Sequence, residues 1–327
     1  MKKVGIIYEI TNNPYFGEVQ ENYSNKLSEY VKPSEINWIC EAFTNLGFDY
    51  QLIDGAEGLL KQKDHFKEFD LFFNKSIGFK GLERKIIVPS IGQLYHLPML
   101  GTSGYAMTLA RHKYHTNRLL KGMGFPVPFA YYFERKEQIS KIHKYPVIVK
   151  PNAESDALGI SERSVCYSFS EVKEKAEELI YDFNQPIIIE EFIPGEEWKV
   201  AVIGNNEKTK ACGCVNTLKN GLSMNGTLQT REDILNNNLS YDIPQNTSLV
   251  TKAFSMSEKI HSLLGLNDYS RCDFRIDETG KLYCMEVSTH PYISGKTSSF
   301  VMAAMQTFSN FNAVMKQIVD AALKRYR

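Results

Sequence analysis

Side chains suited to phosphoryl transfer are concentrated near the carboxyl end of the chain, in the stretch RCDFRIDETGKLYCMEVS. The residues ETG would join two strands into a hairpin. Because side chains alternate along a strand, a spacing of two places one set on one face. That set comprises Arg271, Asp273 and Arg275 on the first strand and Glu286 and Ser288 on the second. Facing carboxylates repel unless a cation separates them, as Mg²⁺ held with a triphosphate would. The pattern predicts a phosphoryl-transfer site, although an exposed strand face with an arginine–carboxylate salt bridge has the same spacing.

A second group of candidates lies upstream. Lys150 ends the apolar strand PVIVK and precedes the glycine-containing loop NAESDALGI, while Glu190, Glu191 and Glu197 surround the proline–glycine turn of PIIIEEFIPGEEW. A lysine beside backbone amides suits phosphate, whereas carboxylates and carbonyls at a hinge suit an adenine amino group and ribose hydroxyls. Each motif is weak alone. The segment SGKT is not a P-loop, because His290 stands where that motif requires its first glycine.

The elements that position these residues begin with a βαβ pattern. The first hundred residues alternate apolar runs with helical spacing, in the order KVGIIYE, PSEINWICEAFTNLG, YQLID and FDLFFN. This order predicts a parallel sheet covered by helices. Ligands bind beyond the carboxyl ends of strands in such sheets. The loop NKSIGFKG is therefore either a candidate site or an ordinary glycine-containing loop.

The pattern changes near residue 101 and predicts one helix that stops at Gly122, Gly124 and Pro126. A small α+β module follows, with the strand YPVIVK, a loop, a helix capped by Ser170 and the strand PIIIEE. Beyond residue 193 we expect a strand, a long polar loop at 216–247, an amphipathic helix and the hairpin. We interpret the polar loop as a lid, since long loops in compact domains are usually functional.

The bulk composition excludes several classes of protein. The 327 residues suffice for two or three domains, and 38 basic residues balance 38 acidic ones. No net charge would therefore attract nucleic acid or an anionic membrane. No apolar run reaches the roughly 18 residues of a membrane span, and the short apolar run near the start does not resemble a signal peptide. We expect a cytoplasmic protein whose six cysteines are reduced and buried.

The order of the motifs resembles the ATP-grasp superfamily, and within it the proteins related to D-alanine–D-alanine ligase. The resemblance rests on PVIVKP, a loop ending in LGI, IIIEEFIPGEEW and RCDFRIDETGKLYCMEVSTHP, preceded by FNKSIGFKGLERKIIVPSIGQLYHLPMLGTSGYAMTLARHK. It implies an α/β protein with an α+β ATP-grasp fold, in which an amino-terminal parallel-sheet domain precedes two α+β modules that clasp ATP. The implied boundaries are 1–103, 104–192 and 193–327.

The resemblance also implies a role for each candidate residue. Arg271 would be the catalytic residue that stabilises a tetrahedral intermediate. Magnesium, or manganese, would be coordinated by Asp273, Glu286 and Ser288. ATP would be bound by Lys113 and Lys150 at its phosphates, by the closing loop with Glu154, Ser155 and Gly159, by Glu190, Phe192 and Ile193 at the adenine, and by Glu197 at the ribose.

The chain departs from the family pattern mainly at substrate-facing positions. Ser288 replaces the usual asparagine of the metal motif, and Asp156 and Ala157 replace serines of the phosphate loop. Tyr292 follows Pro291 where the family has glycine, and 216–247 lacks the family's lysine–tyrosine pair. These departures imply that the substrates are not two D-alanines.

Three residues are candidates for the substrate pockets. Tyr292 and Lys296 would line the acceptor pocket, where Lys296 would pair with a carboxylate or remain an exposed lysine without a partner. Glu35 would bind the first amino acid. Residues 11–33 have the character of an insertion without an assignable role.

The leading functional hypothesis is an ATP-dependent acid–amino-acid ligase. It would form an amide bond through an acyl phosphate, release ADP and phosphate, and act on a small-molecule carboxylate and amine, both amino-acid-like. Two alternatives stay open: a catalytically weak ATP-binding regulatory protein of the same fold, motivated by Ser288, and a ligase that modifies a peptide or carrier protein. Relatives are commonly dimers, so a homodimer is compatible with the resemblance, with no nucleic acid or membrane as partner.

Overall fold

Three β-sheets follow one another along the chain. They are seen in a computed structural model that describes residues 2–9, 32–78, 81–140, 142–295 and 297–326. The predicted insertion at 11–33 therefore lies almost entirely outside the described residues. None of the described helices combines the length and apolar composition needed to cross a membrane.

The first sheet is parallel, which confirms the prediction from the βαβ spacing. Its strands are β1 (Lys2–Tyr8), β2 (Phe48–Asp54), β3 (Leu71–Asn74) and β4 (Met99–Leu100). They pair in the order β2-β1-β3-β4. They are connected by helices α1 (Pro33–Asn45), α2 (Gly55–Lys61) and α3 (Ile87–Leu94) and by 3₁₀ turns at Lys63–Glu68 and Arg84–Ile86. Every residue of β3 is buried, as expected for a parallel strand covered on both faces.

The single helix predicted after residue 103 is wrong. The structure has two helices, α4 (Gly104–Arg111) and α5 (Lys113–Gly122). His112 between them has non-helical backbone angles, φ −80° and ψ 89°. Its ring contacts Glu83 and Asn152, and the N–H of Lys113 donates to the Asn152 carbonyl at 3.0 Å. These contacts with neighbouring loops replace the hydrogen bonds of an uninterrupted helix.

The central sheet is antiparallel. Its strands are β5 (Ala130–Phe133), β6 (Val147–Pro151), β7 (Val165–Cys166) and β8 (Ile187–Glu191), paired in the order β5-β8-β6-β7. The 3₁₀ turns here are Lys136–Gln138 and Glu162–Ser164. Helix α6 (Phe169–Phe183) begins after Ser168, so the predicted cap Ser170 is wrong. The Ser168 hydroxyl accepts from the N–H of Glu171, whose carboxylate accepts from the Tyr167 N–H in return.

The third sheet carries the predicted hairpin. Its strands are β9 (Glu197–Ile203), β10 (Lys210–Lys219), β11 (Leu222–Ser223), β12 (Leu239–Asp242), β13 (Tyr269–Ile276) and β14 (Leu282–Ser288). They pair in the order β11-β10-β9-β13-β14, and β12 also pairs with β10. The remaining elements are helices α7 (Arg231–Leu235), α8 (Thr247–Leu263), α9 (Ser299–Ala304) and α10 (Phe311–Arg325) and the 3₁₀ turn Asn206–Lys208.

The stretch 216–247 is not the long loop that its polar composition predicted. It contains the end of β10, all of β11, α7 and β12, so its backbone groups pair with the edge of the third sheet. The interpretation of this segment as a lid stays a prediction.

The last helix packs into the first unit of the chain. Val314 and Ile318 of α10 share one hydrophobic core with Val4 of β1 and Ile39 of α1, and the rings of Trp38 and Phe311 lie 5.4 Å apart. All six cysteines are buried free thiols, which confirms that prediction. We retain the division at residues 103 and 192 as a proposal, with α10 placed on the first unit.

Asp268 connects the first and last parts of the chain. Its fully buried carboxylate accepts from the Gly101 N–H at 2.8 Å, the Asn205 amide at 2.9 Å and the Arg325 guanidinium at 2.6 Å. Hydrogen bonds from three segments of the chain therefore use most of the lone pairs of the two Asp268 oxygens. The carboxylate holds α10 against the end of β4.

We predict that Asp268→Asn lowers the free energy of unfolding by about 2 to 3 kcal/mol, because it leaves Arg325 without its counter-charge. Asparagine is the appropriate substitute, since residue 268 has φ +66°, a conformation that asparagine tolerates. Urea denaturation provides the measurement. The control is Asp320→Asn, which breaks a more exposed pair with Lys316 and should cost under about 0.5 kcal/mol. Equal costs for the two variants would contradict the prediction.

Candidate active site

Five charged side chains form a row across β9 and β13. The register places Lys199 opposite Asp273 and Glu197 opposite Arg275, and Arg271 precedes Asp273 by two on the same face. Arg271 binds both oxygens of Asp273, at 2.6 and 2.7 Å. Glu197 lies 3.1 Å from Lys199 and 3.1 Å from Arg275. The charges alternate in sign along the row, with cations at both ends, and we call this set the charge row.

The second strand of the hairpin adds the remaining metal candidates. Glu286 lies opposite Asp273, and Ser288 lies opposite Arg271. A β-bulge falls immediately after this point, between Asp273 and Phe274, so Met285 has no partner in the ladder. Bulges bend a strand and redirect its side chains, and they are frequent beside active sites. The predicted face is therefore continuous from residue 271 to 273 on β13 and from 286 to 288 on β14.

Lysines from the central module reach this face. The Lys113 ammonium lies 3.7 Å from Glu286 and donates to the Glu154 carbonyl. Burial raises the pKa of the Glu286 carboxyl, but the Lys113 and Lys150 charges, followed by Arg271 and Lys85, lower it below its usual value. Glu286 is therefore ionised and surrounded by cations from three parts of the chain.

The hinge between β8 and β9 provides polar groups suited to a base edge. The Phe192 N–H donates to the Pro146 carbonyl at 3.1 Å. Pro146 has no N–H to donate in return, so the Phe192 carbonyl keeps its acceptor capacity. Lys150 lies 2.5 Å from Glu190 Oε2, yet among the described residues this buried oxygen has no hydrogen bond of proper geometry. Ile193 is buried beside them. The acceptors fit an exocyclic amino group.

The loop after β6 has a defined shape. Gly159 has φ +77°, and a Cβ there would lie 2.9 Å from Leu179 and from Pro151, so only glycine fits. Glu154 is buried, and its carboxylate contacts Arg84 at 3.3 Å, Arg111 at 3.5 Å and Gln185 at 2.7 Å. Ser155 is partly buried, and its carbonyl accepts from the Leu158 N–H. The Glu154 side chain thus holds the loop to the rest of the protein, and its backbone carbonyl faces Lys113.

The donor set fits a nucleotide bound with a divalent cation. We call the region around the charge row, Glu286 and the facing lysines of the central module the cleft. In and around it, cations outnumber carboxylates: the cations are Lys85, Lys113, Lys150, Lys199, Arg271 and Arg275 with Arg84 and Arg111, and the carboxylates are Glu154, Glu190, Glu197, Asp273 and Glu286. An excess of positive charge suits a polyphosphate. Burial raises the pKa of the Asp273 carboxyl despite its ion pair with Arg271.

The metal would depend on the nucleotide for part of its coordination. Among the described residues, no three His, Cys, Asp or Glu side chains are grouped closely enough to hold a metal ion by themselves. Asp273 and Glu286 supply carboxylate oxygens and Ser288 a hydroxyl, and such oxygen donors suit Mg²⁺ completed by phosphate oxygens and water.

The predicted substrate residues lie in two places. Glu35 is buried in α1, and its Oε1 accepts from the Lys75 ammonium and from the Ile293 N–H, both at 2.8 Å. Lys75 also donates to the Pro291 carbonyl at 3.2 Å, so Glu35 and the segment containing Tyr292 meet at one point. Lys296 lies outside the described residues. The structure therefore brings Glu35 and Lys75 to the backbone on either side of Tyr292, and none of these residues belongs to the charge row.

Several polar residues near the cleft were not identified from the sequence. Lys199 belongs to the charge row. Its position two residues after Glu197 would have indicated that the two side chains share one face of the strand. Lys75 lies in the NKSIGFKG loop, which the strand-end argument did single out as a candidate site. Glu9, at the end of β1, accepts from the N–H groups of Ile77 and Gly78 at 2.9 and 3.1 Å and so holds that loop in place. No local motif identifies Glu9.

Comparisons with known proteins agree with this geometry. A family model described as the D-ala D-ala ligase C-terminus matches residues 129–320. The D-alanine–D-alanine ligase of Alcanivorax borkumensis is 29% identical over 294 residues, 86% of each chain. That of Acetivibrio thermocellus is 25% identical over 292 residues, covering 84% of this chain and 73% of the relative.

A solved structure shows the same architecture. The D-alanine–D-alanine ligase from Bacillus anthracis, complexed with ATP, superposes with a TM-score of 0.73 at 15% identity, covering 99% of this chain and 98% of that one. The α+β ATP-grasp fold implied by the sequence motifs is thereby confirmed.

We predict that Glu197 makes stability depend on pH in the acid range. Burial raises its pKa, but Lys199 and Arg275 more than compensate and lower it from 4.5 to about 2. A carboxyl whose pKa is lower in the folded than in the unfolded state stabilises the fold above pH 4.5, and this contribution is lost as the pH falls towards 2. Its upper limit is about 3 kcal/mol.

Glu197→Gln should therefore flatten the acid limb of stability measured by urea denaturation between about pH 5 and pH 2.5. It should also destabilise the protein at pH 7, because Lys199 and Arg275 lose their shared counter-charge. Glu207→Gln, at an exposed position of the same module, is the control. An acid limb in Glu197→Gln as steep as that of the control would rule out this assignment.

Proposed function

We propose that this chain, which belongs to the D-ala D-ala ligase C-terminus family, is an ATP-dependent carboxylate–amine ligase. The reaction converts a carboxylic acid, an amine and ATP into an amide, ADP and phosphate. Relatives named D-alanine–D-alanine ligase, at 25 and 29% identity, support this class of reaction.

One observation carries the proposal. The Glu286 carboxylate and its cross-strand neighbour Asp273 lie on the third sheet, within reach of charges from Lys113 and Lys150 of the central module. The carboxylates proposed to bind the metal and the lysines proposed to bind phosphate thus lie close to the hinge, where the Phe192 carbonyl and the Glu190 carboxylate are available as hydrogen-bond acceptors. Paired in this way, the groups have the chemistry of an ATP site rather than of an ordinary salt-bridged strand face.

Each residue has a physical task in this reaction. Lys113 and Lys150 hold the phosphates and offset the charge that develops when the substrate carboxylate attacks the terminal phosphorus. Asp273, Glu286 and Ser288 would hold Mg²⁺ or Mn²⁺, which when bound neutralises phosphate charge. Arg271 stabilises the oxyanion formed when the amine attacks the acyl phosphate. The loop from Glu154 to Gly159 excludes water, which would otherwise hydrolyse that intermediate.

We further propose that the substrates are amino-acid-like but are not two D-alanines. The buried Lys75–Glu35 ion pair uses Glu35 Oε1 before any substrate amine arrives. Burial, followed by the charges of Lys75 and Lys85, lowers the pKa of His290 well below its usual value, so a neutral imidazole lies next to the Pro291-Tyr292 segment. This combination of side chains supports a pair of substrates other than two D-alanines.

A screen of amino acid pairs with ATP tests the proposal. We expect phosphate release only when a carboxylate and an amine substrate are both present. Asp273→Asn should lower kcat at least about 100-fold, because it removes a charged metal ligand. Glu278→Gln, in the exposed turn of the same hairpin, should retain full activity. Absence of stimulation by every pair, in a protein that binds ATP, would argue against a ligase.

That negative result would favour a second candidate, an ATP-binding protein with little turnover. The observation behind it is Ser288, whose hydroxyl offers a weaker metal ligand than an amide carbonyl. In this case Ser288→Asn should raise ATP hydrolysis or ligation above the wild-type level, measured at matched Mg²⁺ concentration. An unchanged rate would exclude Ser288 as the cause of low turnover.

A further inference from the structure

We infer that Lys199 is a third phosphate-binding lysine, which contacts the β- and γ-phosphates of the nucleotide between the ribose and the metal. The inference rests on the proposed ATP site and extends it to a residue outside the family motifs. It makes the third sheet, and not only the central module, a source of cationic contacts to the phosphates.

The position of Lys199 along β9 is the first argument. Glu197, the ribose candidate, precedes it by two residues, or roughly 6 to 7 Å along a strand. Asp273, a metal candidate, lies directly across the ladder from it. Since a nucleotide's phosphate chain joins its ribose to its metal, the chain must pass over the part of the sheet from which Lys199 projects.

The hydrogen bonds of Lys199 are the second argument. Its ammonium contacts Glu197 Oε1 at 3.1 Å and Gln229 Oε1 at 2.9 Å. The Tyr241 ring also lies 5.9 Å from the Lys199 nitrogen. An ammonium has three N–H donors, and among the described residues no oxygen or nitrogen acceptor takes the third. The side chain is only 5% exposed, so water does not readily satisfy that donor. A buried ammonium with one N–H group that no acceptor uses is suited to an anionic ligand.

The charges around Lys199 are the third argument. Arg275 and Arg271 occupy the ends of the charge row, so Glu197 and Asp273 each already have an arginine partner. Lys199 is therefore not needed to neutralise either carboxylate and gives the row a net positive charge. Burial lowers and Glu197 raises the pKa of Lys199, with a net upward shift, so the ammonium stays protonated.

The segment 216–247 offers no comparable cation. Its two basic residues are Lys219, which pairs with Glu162 and Asp233 at 2.8 and 2.9 Å, and Arg231, which donates to the Asp156 carbonyl at 3.3 Å. The segment instead contributes Gln229, a neutral acceptor that holds the Lys199 ammonium in position.

Calorimetric titration with ADP and with AMP, both in the presence of Mg²⁺, tests the inference. Lys199→Met should weaken ADP binding about 10-fold while changing AMP binding less than about 2-fold, because AMP lacks the β-phosphate. Lys199→Arg should restore most of the ADP affinity. Lys175→Met is the matched control: Lys175 is equally buried and pairs with Glu178 at 2.5 Å in another module, so both affinities should be unchanged.

A structural role for Lys199 gives a different result. If the ammonium merely orients Glu197, its loss weakens ADP and AMP equally, and this outcome overturns the inference. Should Lys199→Met not fold, Lys199→Gln retains a donor to Glu197 without the charge, and its ADP-to-AMP ratio serves the same purpose. A wild-type protein that binds neither nucleotide contradicts the proposed ATP site itself, whereas normal wild-type binding with an unchanged ratio in the variant contradicts only the role of Lys199.

Discussion

The pairing of β9 with β13 confines five charged side chains to one buried row, and the organisation of the cleft depends on the alternation of positive and negative charges along it. Isolated charges are costly in a low-dielectric environment, but alternating signs let each carboxylate interact with a cation on either side. Asp273 lies between Arg271 and Lys199, and Glu197 lies between Lys199 and Arg275. The row thus tolerates burial and still presents positive charge to a ligand.

Local periodicity was sufficient to predict the parallel first sheet, the hairpin and the shared face of Arg271, Asp273 and Glu286, because strand geometry alone determines which side chains alternate. Periodicity failed where contacts with residues distant in sequence determine the secondary structure. His112 interrupts a helix through bonds to Glu83 and Asn152, and the polar stretch 216–247 gains regular structure by pairing with β10. The types and spacing of residues along the chain do not indicate which distant residues these two segments contact.

The two sides of the cleft differ in how their residues are assembled. The groups proposed to bind the nucleotide come mostly from short motifs on the strands of the second and third sheets, with Lys113 at the start of α5. The pair Lys75 and Glu35, proposed to lie at the substrate pocket, instead combines the end of β3 with α1 and meets the segment at Pro291 and Ile293, more than 200 residues away. Such a pocket is set by tertiary packing, which explains why its chemistry was not readable from any one motif.

The packing of α10 against β1 and α1 has a consequence for biosynthesis. The core that contains Val4 and Ile39 is completed only by residues such as Val314 and Ile318. Translation proceeds from the amino terminus, and domains generally fold as units as they leave the ribosome. Here the first sheet keeps an uncovered apolar surface until α10 has been synthesised. We therefore expect the apolar face of the nascent first sheet to stay exposed for longest, while the central module, whose core is its own, is free to fold earlier.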